Sequence, residues 1–130
     1  MPDIVKVAYQ QTGQSTKTNQ FGMREMQERA FAARDAKYML LKAPPASGKS
    51  RALMFIALDK LLKQDLKKVI IAVPERSIGA SFAPTELSKY GFYSDWNPDD
   101  KYNLCTPGGE KSKVDAFIKF MDNDAIHTIC

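Results

Sequence analysis

The residues best suited to do chemistry in this chain lie close together. Residues 43–50 read A-P-P-A-S-G-K-S and end in Gly48-Lys49-Ser50. They fit the phosphate-binding pattern Ala/Gly-x-x-x-x-Gly-Lys-Ser/Thr. Small side chains such as Ala46, Ser47 and Gly48 let backbone N–H groups curl around a phosphate. A helix that starts near Gly48 points the positive end of its dipole at the same anion. Lys49 would then reach the β- and γ-phosphates of a nucleotide, and the Ser50 hydroxyl would bind Mg²⁺. The bland reading is a proline-rich turn with a surface lysine. Average residue usage gives such a match by chance in roughly one chain in a hundred of this length.

The loop needs a strand before it and a helix after it, and the flanks are patterned accordingly. Residues 37–43, KYMLLKA, form a short apolar run that predicts a buried strand. Residues 48–64 carry apolar positions 53, 56, 57 and 61 among good helix formers, which predicts a helix. Residues 22–36 have helical spacing at 23, 26, 30 and 31. The β-branched run at 67–75, closed by Pro74, predicts a strand. Residues 77–91, broken by Gly79 and Pro84, read as two short helical pieces, and 102–106 as a weaker strand. Residues 111–123 predict a helix with 114, 117, 118 and 121 on one face, and 125–130 a strand. Strands alternating with helices imply an α/β fold with a parallel sheet covered on both faces.

Around this loop the sequence resembles superfamily 2 helicases and translocases, restriction-enzyme-type translocases among them. That family commonly has alanine where Ala43 stands, in a pattern like A-x-T-G-S-G-K-S/T. Pro45 and Ala46 stand here in place of its Thr and Gly, and a proline has no N–H to give. Before the loop, MREMQERAF resembles the family's R-x-x-Q element, with Arg24 and Gln27. The resemblance implies that Gln27 reads adenine, with Phe21 or Arg24 beside the base. An amide can donate to N7 and accept from N6 together, which favours ATP over GTP. After the loop, VIIAVPERSIGASF resembles the P-T-R-x-L segment, with Arg76 at its arginine and Glu75 in place of its threonine. Gly108 and Gly109 resemble the family's Gly-Gly doublet. Both segments face nucleic acid in the family, so Arg76, Ser77, Gly108 and Gly109 become the expected nucleic-acid residues, with backbone N–H groups after Ser77 holding a phosphate.

The resemblance covers residues 20–130. It implies a P-loop NTPase fold of the RecA-like kind, three layers α/β/α around a parallel sheet. It assigns 1–20 as a polar leader and 21–130 as a partial ATP-binding domain. ATP and Mg²⁺ are the implied cofactors. Nucleic acid, DNA ahead of RNA, and the remainder of a helicase chain are the implied partners. The acidic D-E-x-D/H segment that hydrolysis requires is not found. Asp99 and Asp100, and Asp122 and Asp124, read as turn and helix-end charges. No catalytic residue is therefore assigned within these residues, and hydrolysis by them alone is expected to be negligible. The run AIHTIC at 125–130 suggests a fragment whose sheet lacks a member. Self-association through an open edge is expected, with AIHTIC, Phe92 or Trp96 on the exposed face.

Composition leaves this reading open and closes others. The chain has 130 residues, 44% hydrophobic and 26% charged, enough for one domain with a core. No apolar run approaches membrane-spanning length, and residues 1–17 lack a signal-peptide core, so a cytoplasmic location and no membrane partner are expected. Net charge of +4 is compatible with a polyanionic partner. Cys105 and Cys130 have no metal-ligand spacing and are read as reduced thiols. His127 has no nucleophile or metal cluster beside it and is read as a packed strand residue. The aromatic group Tyr90, Phe92, Tyr93 and Trp96 is read as packing ahead of base stacking. The lysine run 60–68 is read as a solvated helix end. Two other classes stay open: another P-loop NTPase or small-molecule kinase, which would need acceptor-site arginines and a lid, and an interaction domain with a degenerate phosphate loop.

Overall fold

A computed structural model describes residues 18–107 and 109–130. Helix α1 spans Glu25–Ala32 and α2 spans Lys49–Leu62. A two-residue strand β1, Val69–Ile70, precedes the short helix α3, Arg76–Gly79. Three 3₁₀ turns follow, at Ala80–Phe82, Ser88–Tyr90 and Asp100–Tyr102. Helix α4, Glu110–Asp122, and strand β2, Thr128–Ile129, complete the order. No helix among the described residues is long and apolar enough to cross a membrane.

Helix α2 is the spine. It buries an unbroken run from Met54 to Asp59 together with Ala52, so it is apolar on most of its circumference and packed on several sides. Met23 and the aromatic residues Phe82, Phe92 and Trp96 close over Phe55. Trp96 is held by its backbone, which exchanges hydrogen bonds with Thr85, and by its indole N–H, which donates to the Phe82 carbonyl at 2.8 Å. Helix α1 lies against α2 through Ala30, Ala52 and Ile56.

Strands β1 and β2 pair in parallel, Val69 opposite Thr128 and Ile70 opposite Ile129. On the other side of β2, the Cys130 N–H donates to the Tyr102 carbonyl and the Leu104 N–H to the Cys130 carbonyl. The segment 127–130 is thus flanked by 69–71 and by 102–104. Below it, Phe120, Ile129 and Tyr102 form a second core.

Several expectations are corrected. The run 37–43 begins in a bend and has no ladder partner, and Tyr38 and Leu40 are 85% and 92% exposed. A strand forms only where a neighbour takes up its backbone groups, and here only Leu41 packs, against the α1–α2 contact. Residues 102–106 are not a strand beyond the single pairing with Cys130. Asp99 instead caps a 3₁₀ turn by accepting from the Lys101 N–H, which is the turn role expected of it. The exposed face is also elsewhere. Phe92, Trp96 and Ile129 are buried, and of AIHTIC only Ala125 and His127 are exposed, while Val114, Phe117, Ile118 and Met121 of α4 face solvent. The apolar face of 111–123 is helical as predicted, but α4 turns Phe120 inward and that face out. Finally, of the lysines at 60–68, Lys63 and Lys67 are exposed as expected, but Lys60 and Lys68 are held by carbonyls. The Lys68 ammonium donates to the carbonyls of Phe120, Asn123 and Ile126, and Lys60 donates to the Arg34 carbonyl. The end of α4 leaves carbonyls without intrahelical partners, and a cation there satisfies them.

Candidate nucleotide site

The loop before α2 folds by turn chemistry. Pro44 to Ser47 forms a tight turn, with the Ser47 N–H donating to the Pro44 carbonyl at 3.3 Å. Pro45 takes the position where proline's fixed φ suits the turn, and Ala46 takes the next with φ +60°. A positive φ there is the geometry glycine normally supplies. Gly48 is also left-handed at φ +92° and caps α2, whose first residue is Lys49. A Cβ on Gly48 would collide with the Gln27 amide nitrogen, so this position needs glycine for two reasons. The N–H groups at the start of α2 have no intrahelical partner, which is what a phosphate requires.

Lys49 folds back across the loop, and its ammonium donates to the Ala43 carbonyl at 2.9 Å. It bridges the first and seventh residues of the motif while remaining exposed. The Ser47 hydroxyl is buried and has no hydrogen-bond partner in the protein.

Gln27 is 2% exposed and its amide is engaged at both ends. Its oxygen accepts from the Arg24 N–H at 2.8 Å, fixing the start of α1, and its nitrogen donates to the Gly48 carbonyl at 3.1 Å. The structure therefore brings Gln27 to the phosphate loop, 21 residues away in sequence, as an anchor of the loop backbone. One N–H and one lone pair of the amide remain, the two functions an adenine edge uses. Phe21 packs in the aromatic cluster with Phe31, Phe92 and Tyr93.

Arg24, Gln27, Ala46, Gly48, Lys49 and Ser50 line a common cleft of about 430 Å³. Arg51, Met54, Ser81 and Thr85 complete its lining and were not foreseen. Arg51 could have been suspected, since it follows Ser50 in the first turn of α2. Ser81 and Thr85 reach the cleft through tertiary folding and left no local signal. Three of the lining side chains are cations and none is a carboxylate, so the cleft favours an anion.

The other expected residues lie apart from this cleft's lining. Arg76 and Ser77 are exposed at the start of α3, with Glu75 extended before them. With four residues, α3 is too short to offer a helix-end anion site, so Arg76 is left as the group able to meet a phosphate. Gly79 at its end is clamped, because Asn103 donates to its carbonyl and Cys105 packs on its Cα. Gly109 caps α4 and is exposed; Gly108 lies outside the described residues. Cys105 and Cys130 are free thiols brought together by the Cys130 pairing, and burial followed by the neighbouring Cys105 pushes the Cys130 thiol up to about 11.

Ten residues along α2 from Lys49 sits a buried carboxylate that sequence reading missed. Asp59 accepts from Tyr93 Oη at 2.5 Å, Gln64 Nε2 at 2.8 Å and Arg34 Nε at 2.9 Å. Burial alone would raise its pKa, but the hydrogen bonds from Tyr93 and Gln64 and the Arg34 charge together hold it below the ordinary carboxylate value. Tyr93 is pushed upward by burial and by the same carboxylate. The network ties the end of α1, α2 and the aromatic cluster into one unit. His127 donates from Nδ1 to the Lys67 carbonyl at 2.9 Å beside β1; it is exposed and precedes β2, so it is not the packed strand residue expected.

The chain is 59% identical, over all 130 of its residues, to a protein of Bacillus subtilis (strain 168) named "Putative ATP-dependent helicase YeeB". The aligned stretch is 22% of that protein, so this chain spans about a fifth of the relative's length. No family model matches the chain, and no solved structure matches it. Identity at this level over every residue supports a common origin with that protein.

Proposed function

We propose that this chain binds ATP through residues 46–50 and forms the N-terminal part of the first motor domain of a superfamily 2 helicase or translocase. The carrying observation is the loop itself. Two left-handed residues, Ala46 and Gly48, lead directly into α2, and Arg24, Lys49 and Arg51 surround a cleft free of carboxylates. The relative's printed name supplies ATP as the nucleotide and helicase as the class. On this reading Lys49 leaves the Ala43 carbonyl to meet the distal phosphates, and Ser47 gains the partner it lacks. Ser50 supplies the protein oxygen for Mg²⁺, which fits an ion held chiefly by phosphate oxygens and water. Among the described residues no cluster of three acidic, His or Cys side chains offers a stand-alone metal site.

The RecA-like three-layer sheet, the nucleic-acid contacts at Arg76, Ser77 and Gly109, and DNA ahead of RNA as the track belong to the same proposal. Titration calorimetry with MgATP tests it. Wild-type chain should bind, and Lys49→Ala should lose binding while keeping its circular-dichroism spectrum, since Lys49 is exposed. Unchanged binding in Lys49→Ala would remove the phosphate loop from the reading.

A further inference from the structure

Helix α4 has two apolar faces. One turns Phe120 into the core beside Tyr102 and Ile129. The other presents Val114 at 57%, Phe117 at 42%, Ile118 at 51% and Met121 at 51% exposure. Their spacing is i, i+3, i+4, i+7, the seam by which two helices interlock. Four large apolar side chains in one stripe are not the scattered exposure that a monomer surface ordinarily shows. None of them lines the nucleotide cleft.

The charges beside the stripe choose its partner. At about 100° per residue, Lys111 and Asp122 both fall some 60–80° to the same side of the Val114 line, at opposite ends of the helix. Both are exposed. A two-fold axis perpendicular to α4 brings like flank against like flank and start against end. That operation sets Lys111 of each copy near Asp122 of the other, twice. Parallel pairing would instead put the two like flanks on opposite sides of the contact and keep Lys111 and Asp122 of the two copies at opposite ends, so no such pair forms. The Lys111 and Asp122 flank is thus complementary to itself in the antiparallel sense, across an isologous interface.

We infer that a second copy of this chain docks antiparallel on α4, through Val114, Phe117, Ile118 and Met121, with Lys111–Asp122 pairs at both ends. A helix about 20 Å long buries less than a standard stable interface. The dimer should therefore be weak, populated at about 100 µM protein and largely dissociated at about 1 µM.

Sedimentation equilibrium of the 130-residue chain over that range tests the inference. The expected result is a mass rising toward the dimer with concentration. Ile118→Glu, on an exposed position, should hold the mass at the monomer with helicity unchanged. Lys111→Glu and Asp122→Lys should each weaken association several-fold, and the double reversal should restore it. A monomer at every concentration overturns the inference. So does association that survives Ile118→Glu, which would locate the contact on another surface such as the Ile70 edge or reveal a different occupant for α4. Failure of the double reversal to restore association overturns the antiparallel register.

Discussion

Replacing Gln27 by alanine tests how the phosphate loop is held. The side chain is buried and makes two hydrogen bonds, from the Arg24 N–H and to the Gly48 carbonyl. The Gly48 carbonyl keeps its bond from the Ala52 N–H, so alanine does not orphan it. The loss is then about 1 kcal/mol for each hydrogen bond and about 0.8 kcal/mol for the buried methylene, about 3 kcal/mol together. Trp96 is the single tryptophan and is 2% exposed, so its fluorescence reports global unfolding. With a urea slope of about 2 kcal/mol/M, the midpoint should fall by about 1.5 M. Gln27→Glu should cost a comparable amount, because it still accepts from Arg24 but cannot donate to Gly48. Affinity for ATP and GTP should decline together in both variants, because the damage is to the loop that cradles phosphate. A midpoint shift below about 0.3 M would refute the anchor. Selective loss of ATP with GTP unchanged would show instead that the Gln27 amide turns from the loop to the base.

The buried carboxylate gives a pH signature. The folded-state pKa of Asp59 lies below its unfolded value of 3.8, so its contribution is complete above that value and is lost as pH falls through the lower folded one. Asp59→Asn should flatten the acid limb of the stability curve in urea titrations, and an unchanged limb would place acid sensitivity elsewhere. Lys68→Met should destabilise the chain by about 2 kcal/mol, because the carbonyls of Phe120, Asn123 and Ile126 lose a charged donor. Thermal melting showing no change would mean that water replaces the ammonium at the end of α4.

The turn and helix start at residues 43–50 were legible in the sequence because their chemistry is local. Turn, left-handed glycine, lysine and helix start occur within eight consecutive residues, and each position constrains residue type. The long helices α2 and α4 were legible for the same reason, through their periodicity. What was not legible depends on contacts between distant segments. Residues 37–43 have strand composition, but composition cannot say whether a neighbour pairs with them. Lys68 read as part of a solvated helix end and Asp59 was not singled out, because Lys68 meets carbonyls 52 to 58 residues away and Asp59 meets Arg34 and Tyr93 25 and 34 residues away. The outward turn of α4 is the same kind of case. Periodicity shows that 114, 117, 118 and 121 share a face, but Phe120 on another face competes for the core and wins. Phe120 is a full aromatic ring with Lys68 over it at 4.6 Å and the β2 residue Ile129 beside it.

Pro45 and Ala46 take complementary places in the turn before α2. Read singly, a proline removes a donor and an alanine lacks glycine's freedom. In the fold they occupy successive positions of one turn, the first suited to proline and the second left-handed. Proline stiffens the first position before folding, which offsets part of the strain of about 1–2 kcal/mol that alanine carries at the second. The turn at 44–47 therefore reaches a left-handed residue without a glycine there. The loop is held at one end by the Ala43 carbonyl under Lys49 and at the other by Gln27 on Gly48.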